Sequence, residues 1–184
     1  MDRVSVLETQ RLALRPPVTD DAEELFAFMG DPQAMRFTHV QRSLHELRNY
    51  LAVHEAQRDR VGFAPWVLIE KAGGGLAGFG GLCEDPFDPG WGLEVAYFFN
   101  PVAWGRGLAT ELTRFCVAEA QRVGRWPRLA AFAHPQNIAS QKVLLSAGFE
   151  EERFISEMNR WIYGLDLTAI AAPRGALSIA VRSD

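Results

Sequence analysis

Leu12 and Leu14 alternate with polar neighbours between Leu7 and Arg15, which predicts a first strand over 7–15 that Pro16-Pro17 ends. Asp20 followed by Glu23 has the spacing of a capping box, and Leu25, Phe26 and Met29 carry a helix onward to the stop at Gly30-Asp31-Pro32. Ser43 and Glu46 repeat that spacing, and Leu44, Leu47, Leu51 and His54 then mark one face of a second helix. Trp66 to Glu70 and Leu76 to Leu82 read as two strands joined by the turn Gly73-Gly74-Gly75. The segment 84–92, rich in proline and glycine, is a loop, and Leu93 to Phe99 is a strongly apolar strand that Asn100-Pro101 breaks.

From Gly105 to Val123 the period becomes helical, with Leu108, Leu112, Phe115, Cys116, Ala120 and Val123 recurring on one side. Arg128 to His134 is the next strand, and Asn137 to Ala147 the next helix, with Gly148 placed to close it. Phe149 to Ile155 and Arg160 to Leu167 form a final hairpin, and the alanine-rich tail 168–184 takes no assignment. The natural architecture for this order is a mixed sheet flanked by helices, within one domain spanning 1–184 and a core over about 7–167.

Composition narrows the class. The chain has 184 residues, 48% of them hydrophobic and 23% charged, which is the balance of a globular protein rather than a disordered one. No apolar run approaches the length of a membrane span, and the first residues lack the layout of a secretion signal. Two cysteines, Cys83 and Cys116, make neither a disulfide framework nor a zinc spacing, so a reduced, cytoplasmic setting and no metal are expected. A net charge of −4 argues against nucleic acid as the main partner and suits an acceptor with a cationic amine.

The segment Asn100-Pro101-Val102-Ala103-Trp104-Gly105-Arg106-Gly107-Leu108-Ala109-Thr110-Glu111 joins a buried strand to an amphipathic helix. A helix start offers free N–H groups and the positive end of the helix dipole, and glycines let an anion approach that backbone. The turn can therefore cradle a diphosphate, with Arg106 as an added positive charge; it can equally serve tight strand-to-helix packing. It lacks the lysine and Ser/Thr of a P-loop, which argues against a nucleotide hydrolase, and it lies mid-chain rather than after a first strand as a dinucleotide fingerprint would.

That turn resembles motif A of the GNAT acetyltransferase superfamily, Gln/Arg-x-x-Gly-x-Gly/Ala, with Gly107 and Ala109 in the last two slots and Trp104 where the family often has Gln or Arg. The form Trp-Gly-Arg-Gly-Leu-Ala-Thr-Glu is similar to the branch that includes the ribosomal-protein N-terminal acetyltransferases. Asn137-Ile138-Ala139-Ser140 through Ala147-Gly148-Phe149 resembles motif B at the right distance, and Leu12-x-Leu14-Arg15 also resembles this branch.

The resemblance covers roughly 7–167 and implies an α+β fold. Its sheet would be a mostly antiparallel mixed one of about seven strands, splayed in the middle and flanked by about four helices. It implies acetyl-CoA as co-substrate and direct attack by an amine, an N-terminal amine of a protein or a small-molecule amine. The alternative from another class is a module that binds acyl-CoA without turnover. Relatives are often monomers or dimers, so a homodimer is possible.

Cofactor contacts are implied at Phe98, Phe99, Trp104, Gly105, Arg106, Gly107, Leu108, Ala109, Thr110, Asn137 and Ser140. The strand Leu93 to Phe99 would hold the pantetheine arm in the gap of the splayed sheet. Glu94 matches a general-base position and is otherwise a structural glutamate. Asn137 is a pantetheine ligand, an N-cap, or both. Ser140 stands near the expected thioester sulfur as proton donor, or faces solvent as a first-turn serine; the tyrosine that many relatives place four residues later is here Leu144. His39, Glu84 and Asp85 are the acceptor-side candidates, with Asp88 beside them. His134 reads as structural, Cys83 lacks a partner for nucleophilic chemistry, and Trp66, Trp91 and Trp126 read as packing.

Overall fold

The computed structural model describes residues 6–168, so the tail expected to stay unassigned lies, past Thr168, outside the described residues. An eight-stranded sheet runs in the order β1-β2-β3-β4-β5-β6-β8-β7. Its strands are β1 (Leu7–Glu8), β2 (Leu12–Arg15), β3 (Trp66–Glu70), β4 (Leu76–Cys83), β5 (Glu94–Phe99), β6 (Arg128–Ala133), β7 (Glu150–Ile155) and β8 (Arg160–Asp166). The helices are α1 (Asp21–Met29), α2 (Leu44–Val61), α3 (Leu108–Val123) and α4 (Ile138–Ser146). This is the expected α+β architecture with one strand more than expected.

The extra strand comes from the first segment. The chain reverses at Thr9, whose N–H donates to the Leu12 carbonyl at 2.8 Å and whose hydroxyl accepts from the Leu12 N–H at 3.0 Å. The Glu111 carboxylate takes Thr9 Oγ1 and the backbone and side chain of Arg11, which pins this reversal against the start of α3. A strand continuous over 7–15 is thereby split into β1 and β2.

Two capping expectations change in detail. Asp20 sits at helical angles and makes no side-chain cap. The neighbouring Asp21 does the tying instead, accepting from the Val18 N–H at 2.7 Å and from both Arg15 Nη atoms at 2.7 and 2.6 Å. Ser43 does cap α2, since its hydroxyl accepts from the Glu46 N–H at 3.1 Å, but Glu46 returns to the Arg42 N–H, one residue early for a capping box. At the end of α4 the expectation holds. Gly148 has φ 94°, and the Phe149-to-Leu144 and Gly148-to-Leu145 backbone bonds close a Schellman motif.

Alternate residues of the sheet feed two cores. Val67 and Phe79 face Leu25, Phe28, Leu47 and Leu51 of α1 and α2, while Leu68 and Leu82 face Leu108, Leu112, Cys116 and Leu144 of α3 and α4. All pairs in the sheet are antiparallel except β5 with β6. β5 pairs with β4 from Glu94 through Phe99, yet it meets β6 at the single register position Glu94↔Ala130. Beyond that point the two strands part, and the gap opens toward their C-terminal ends. Among the described residues no helix is long and apolar enough to cross a membrane.

Candidate active site

The parting of β5 and β6 leaves backbone edges that no neighbouring strand covers, and two cavities meet there. One, of about 550 Å³, lies toward α2 and the 84–92 loop; the other, of about 380 Å³, lies toward the start of α3. Phe37, Thr38, Tyr97, Phe98, Asn137 and Ser140 line both, so the two are continuous through these residues.

The smaller cavity holds the glycine turn. Sequence periodicity places the helix start at Gly105, whereas α3 begins at Leu108. Gly105 and Gly107 have φ of 71° and 76°, left-handed values that a helix cannot include and that side chains resist. Pro101–Ala103 forms a short 3₁₀ turn before them. Gly107 provides no side-chain cap, so the first-turn N–H groups at Leu108, Ala109 and Thr110 stay available at the positive end of a 16-residue helix. A Cβ at Gly105 would meet nothing within 4 Å, so the space over the turn is open. These residues fit a diphosphate. Leu108 itself is buried and offers only its backbone.

The side chains around the turn depart from expectation in two places. Arg106 points away: its guanidinium grips the Glu70 carboxylate, with Nη1 at 2.7 Å from Oε2, and it does not line the cavity. Arg36 does line it, with its guanidinium carbon 4.7 Å from the Phe37 ring centre and 5.9 Å from that of Trp104. Nothing in the spacing of the 31–40 segment flags that arginine. Trp104 donates its indole N–H to the Phe99 carbonyl at 2.8 Å, which ties the turn to the end of β5.

Where the cavities meet, the Tyr97 hydroxyl and Ser140 Oγ are 2.9 Å apart. Burial pushes the Tyr97 phenol up to about 12, and the Ser140 bond only partly opposes this. Tyr97 is thus protonated at neutral pH, and no local spacing in the sequence singles it out. Asn137 spends its Oδ1 on the Ser140 N–H at 3.2 Å, so it caps α4 while still lining both cavities. Leu144, in the place of the family tyrosine, is buried.

Glu94 is in the larger cavity and 7% exposed, and its Oε1 has no hydrogen-bond partner among the described residues. Burial pushes its carboxyl up to about 8, with Asp85 and Asp88 adding to the rise. His39 lies at the rim, 3.4 Å from the Glu46 carboxylate. Asp85 lines the cavity and accepts from the Phe87 N–H at 2.8 Å. Glu84 is not brought in: its carboxylate accepts from the Trp126 indole at 3.3 Å, outside the cavity lining. Two stacked pairs, Tyr50–Phe87 and Phe37–His134, wall the cavity. Cys83 is buried, and burial pushes its thiol well up, which suits packing rather than nucleophilic attack.

Comparison with known proteins gives the family and the fold. Residues 11–150 match the family model described as the acetyltransferase (GNAT) domain, so the chain belongs to the GNAT acetyltransferase family and is an acyltransferase. It is similar to the uncharacterised N-acetyltransferase YoaA of Bacillus subtilis, 25% identical, over 92% of this chain and 98% of that one. Its fold is like that of an acetyltransferase from Agrobacterium tumefaciens (TM-score 0.76, 21% identity, 90% of this chain and 96% of that one). It is also like that of RimL, the ribosomal L7/L12 alpha-N-protein acetyltransferase, solved with coenzyme A (TM-score 0.73, 16% identity, 90% and 99%).

Proposed function

We propose that the protein binds acetyl-CoA in the smaller cavity and transfers the acetyl group to a primary amine held in the larger one, by direct attack within a ternary complex. One observation carries the reading above the others: a buried carboxyl without a partner, Glu94, faces a cavity that opens directly onto a glycine-lined helix start. The coenzyme A bound in the RimL structure supports the same assignment of the cofactor.

The cofactor supplies an activated acetyl carbonyl and a thiol leaving group. The protein's own residues do the rest. The N–H groups at Leu108, Ala109 and Thr110 hold the diphosphate, with Gly105 and Gly107 keeping the approach clear. The unpaired edge of β5 near Phe98 receives the pantetheine arm. Glu94, poised near 8, takes a proton from the attacking amine directly or through one water. Ser140 gives its proton to the departing sulfur and takes one from the Tyr97 phenol, which solvent water reprotonates. The walls formed by the two stacked pairs support a compact amine over a protein N-terminus, which needs an open groove.

Thermal unfolding with and without acetyl-CoA tests the cofactor, with NADH and ATP as controls. Ligand at a hundredfold excess over Kd stabilises by roughly 2.7 kcal/mol. Thiol release with an amine panel tests turnover. The double variant Glu94→Gln, Ser140→Ala keeps the acetyl-CoA shift and loses turnover if the site is catalytic. No shift with acetyl-CoA defeats the reading, and full turnover by the double variant defeats the residue roles.

A further inference from the structure

The larger cavity holds a cationic side chain besides its acids. Arg160 starts β8 and lines the cavity, partly buried, and among the described residues no hydrogen bond or ion pair reaches its guanidinium. Arg15, Arg58, Arg106 and Arg128, by contrast, each meet a carboxylate within 2.7 Å. A guanidinium cannot shed its charge, so one that is half-withdrawn from water without a counter-ion is costly unless a ligand supplies the anion. The cofactor's phosphates do not fill that role, since Arg160 is absent from the lining of the glycine-turn cavity.

Strand register places Arg160 and Glu94 on one face of the sheet. Glu94 is level with Ala130 of β6, and Phe132 follows two residues on, on the same side. Phe132 pairs with Ile162, and Arg160 stands two residues before Ile162 on β8, again on that side. Trp161, next to Arg160, pairs with Ala133, which is three residues, or roughly 10 Å, along β6 from Ala130. Phe132 stands at the register position between Glu94 and Arg160, and Met158 joins it in the wall.

We infer that the acceptor is a small amino carboxylic acid whose primary amine and carboxylate are joined by an apolar spacer, with Arg160 holding the carboxylate and the amine on the Glu94 side. This rests on the amine acetyltransferase reading above. A guanidinium and a carboxylate match in a planar, two-bond pairing that an ammonium or an amide does not reproduce. The acidic residues Glu94, Asp85 and Asp88 at the other end suit the amine, and Phe132 suits methylenes between. The separation along β6 exceeds the gap between the amine and carboxylate of an α-amino acid, so the spacer runs to several bonds.

The test is thiol release from acetyl-CoA with glycine, β-alanine, γ-aminobutyrate and ε-aminocaproate, each beside its own carboxamide. The proteins are the intact chain and the variants Arg160→Gln and Arg160→Lys. The thermal midpoint and its rise on acetyl-CoA are read for each protein, which separates misfolding from lost recognition. The expected result is a preference for acid over amide of roughly tenfold or more in kcat/KM at one of the longer spacers. In Arg160→Gln that ratio narrows to within about threefold through KM, and Arg160→Lys retains part of it. Acid and amide used equally at every length, or a ratio that survives Arg160→Gln, overturns the inference and leaves the acetyltransferase reading intact. If none of these amines is acetylated although acetyl-CoA raises the midpoint, the inference falls, and thiol release with primary amines that carry no carboxyl decides the reading beneath it.

Discussion

The Tyr97 hydroxyl lies 2.9 Å from Ser140 Oγ and so bridges β5 to the first turn of α4 across the gap of the splayed sheet. The resemblance to motif B implies a proton-donating tyrosine four residues after Ser140, and that place is Leu144. The bridge brings a phenol to the same point from the strand.

If the pair works as one relay, each single loss removes most of its effect. Tyr97→Phe and Ser140→Ala should each lower kcat by roughly ten- to a hundredfold with a smaller change in KM. The double variant should be little worse than the poorer single, because groups that act as a unit are not additive. Steady-state kinetics of the three proteins checks this. Effects that multiply would mean that the two side chains act independently.

Glu94 makes opposite demands on activity and stability. As a base it must be ionised, so kcat/KM should rise with pH through about 8, the value to which burial chiefly lifts it. Glu94→Gln should remove that limb of the profile. Folding, however, favours the protonated form. The unfolded carboxyl titrates near 4.5 and the folded one near 8, so this group's contribution to stability is present below 4.5 and is lost as pH rises toward 8. The loss is at most about 1.4 kcal/mol per pH unit across that window. Glu94→Gln should therefore melt higher than the parent protein at pH 8 while melting close to it at pH 4.5. Parallel melting curves at the two pH values would count against a buried, shifted carboxyl.

The turn before α3 reads as cationic in the sequence through Arg106, yet Glu70 holds that side chain and Arg36 stands over Trp104 instead. Arg36→Ala should weaken acetyl-CoA binding about three- to tenfold, near 1 kcal/mol for an exposed charge meeting phosphate, with the loss shrinking as salt rises. Arg106→Ala should cost less. Calorimetric titration of both variants decides it, and a larger loss from Arg106→Ala would return the role to the motif residue.

What the sequence revealed and what it hid divide along one line. Motif A, motif B, the Gly148 closure and the placement of Glu94 on the strand beside the glycine turn are local patterns, fixed by residues a few positions apart. Tyr97 meeting Ser140, Arg36 reaching Trp104, and Arg160 entering the cavity of Glu94 depend on pairing between distant segments, which no local period encodes. The split of the first strand has the same origin, because Glu111, about a hundred residues on, holds the reversal at Thr9 and Arg11. Asp20 and Asp21 show a finer limit. Both suit a helix start, and the position of Arg15 selects the second. Glu84 and Asp85 are neighbours just past the end of β4, and only Asp85 lines the cavity while Glu84 accepts from Trp126.

His54 contributes to the acid side of the stability profile. It lies on α2, 2% exposed, with its ring 4.5 Å from that of Tyr50 and 5.8 Å from that of Phe87, and both ring nitrogens lack partners among the described residues. Burial lowers its pKa to about 4 from 6.5, and Asp85 opposes the shift without cancelling it. Between those values the unfolded chain holds a proton at this position that the folded chain does not. Stability is therefore present above 6.5 and is lost as pH falls toward 4, by up to about 1.4 kcal/mol per unit. His54→Phe keeps an aromatic ring in the cluster and removes the titration. Its thermal midpoint should fall less steeply than the parent's as pH drops from 6.5 to 4, while the carboxylates held by Arg15 and Arg11 impose the same acid loss on both proteins. A parent and variant that decline in parallel would show that the His54 ring takes up its proton within the fold.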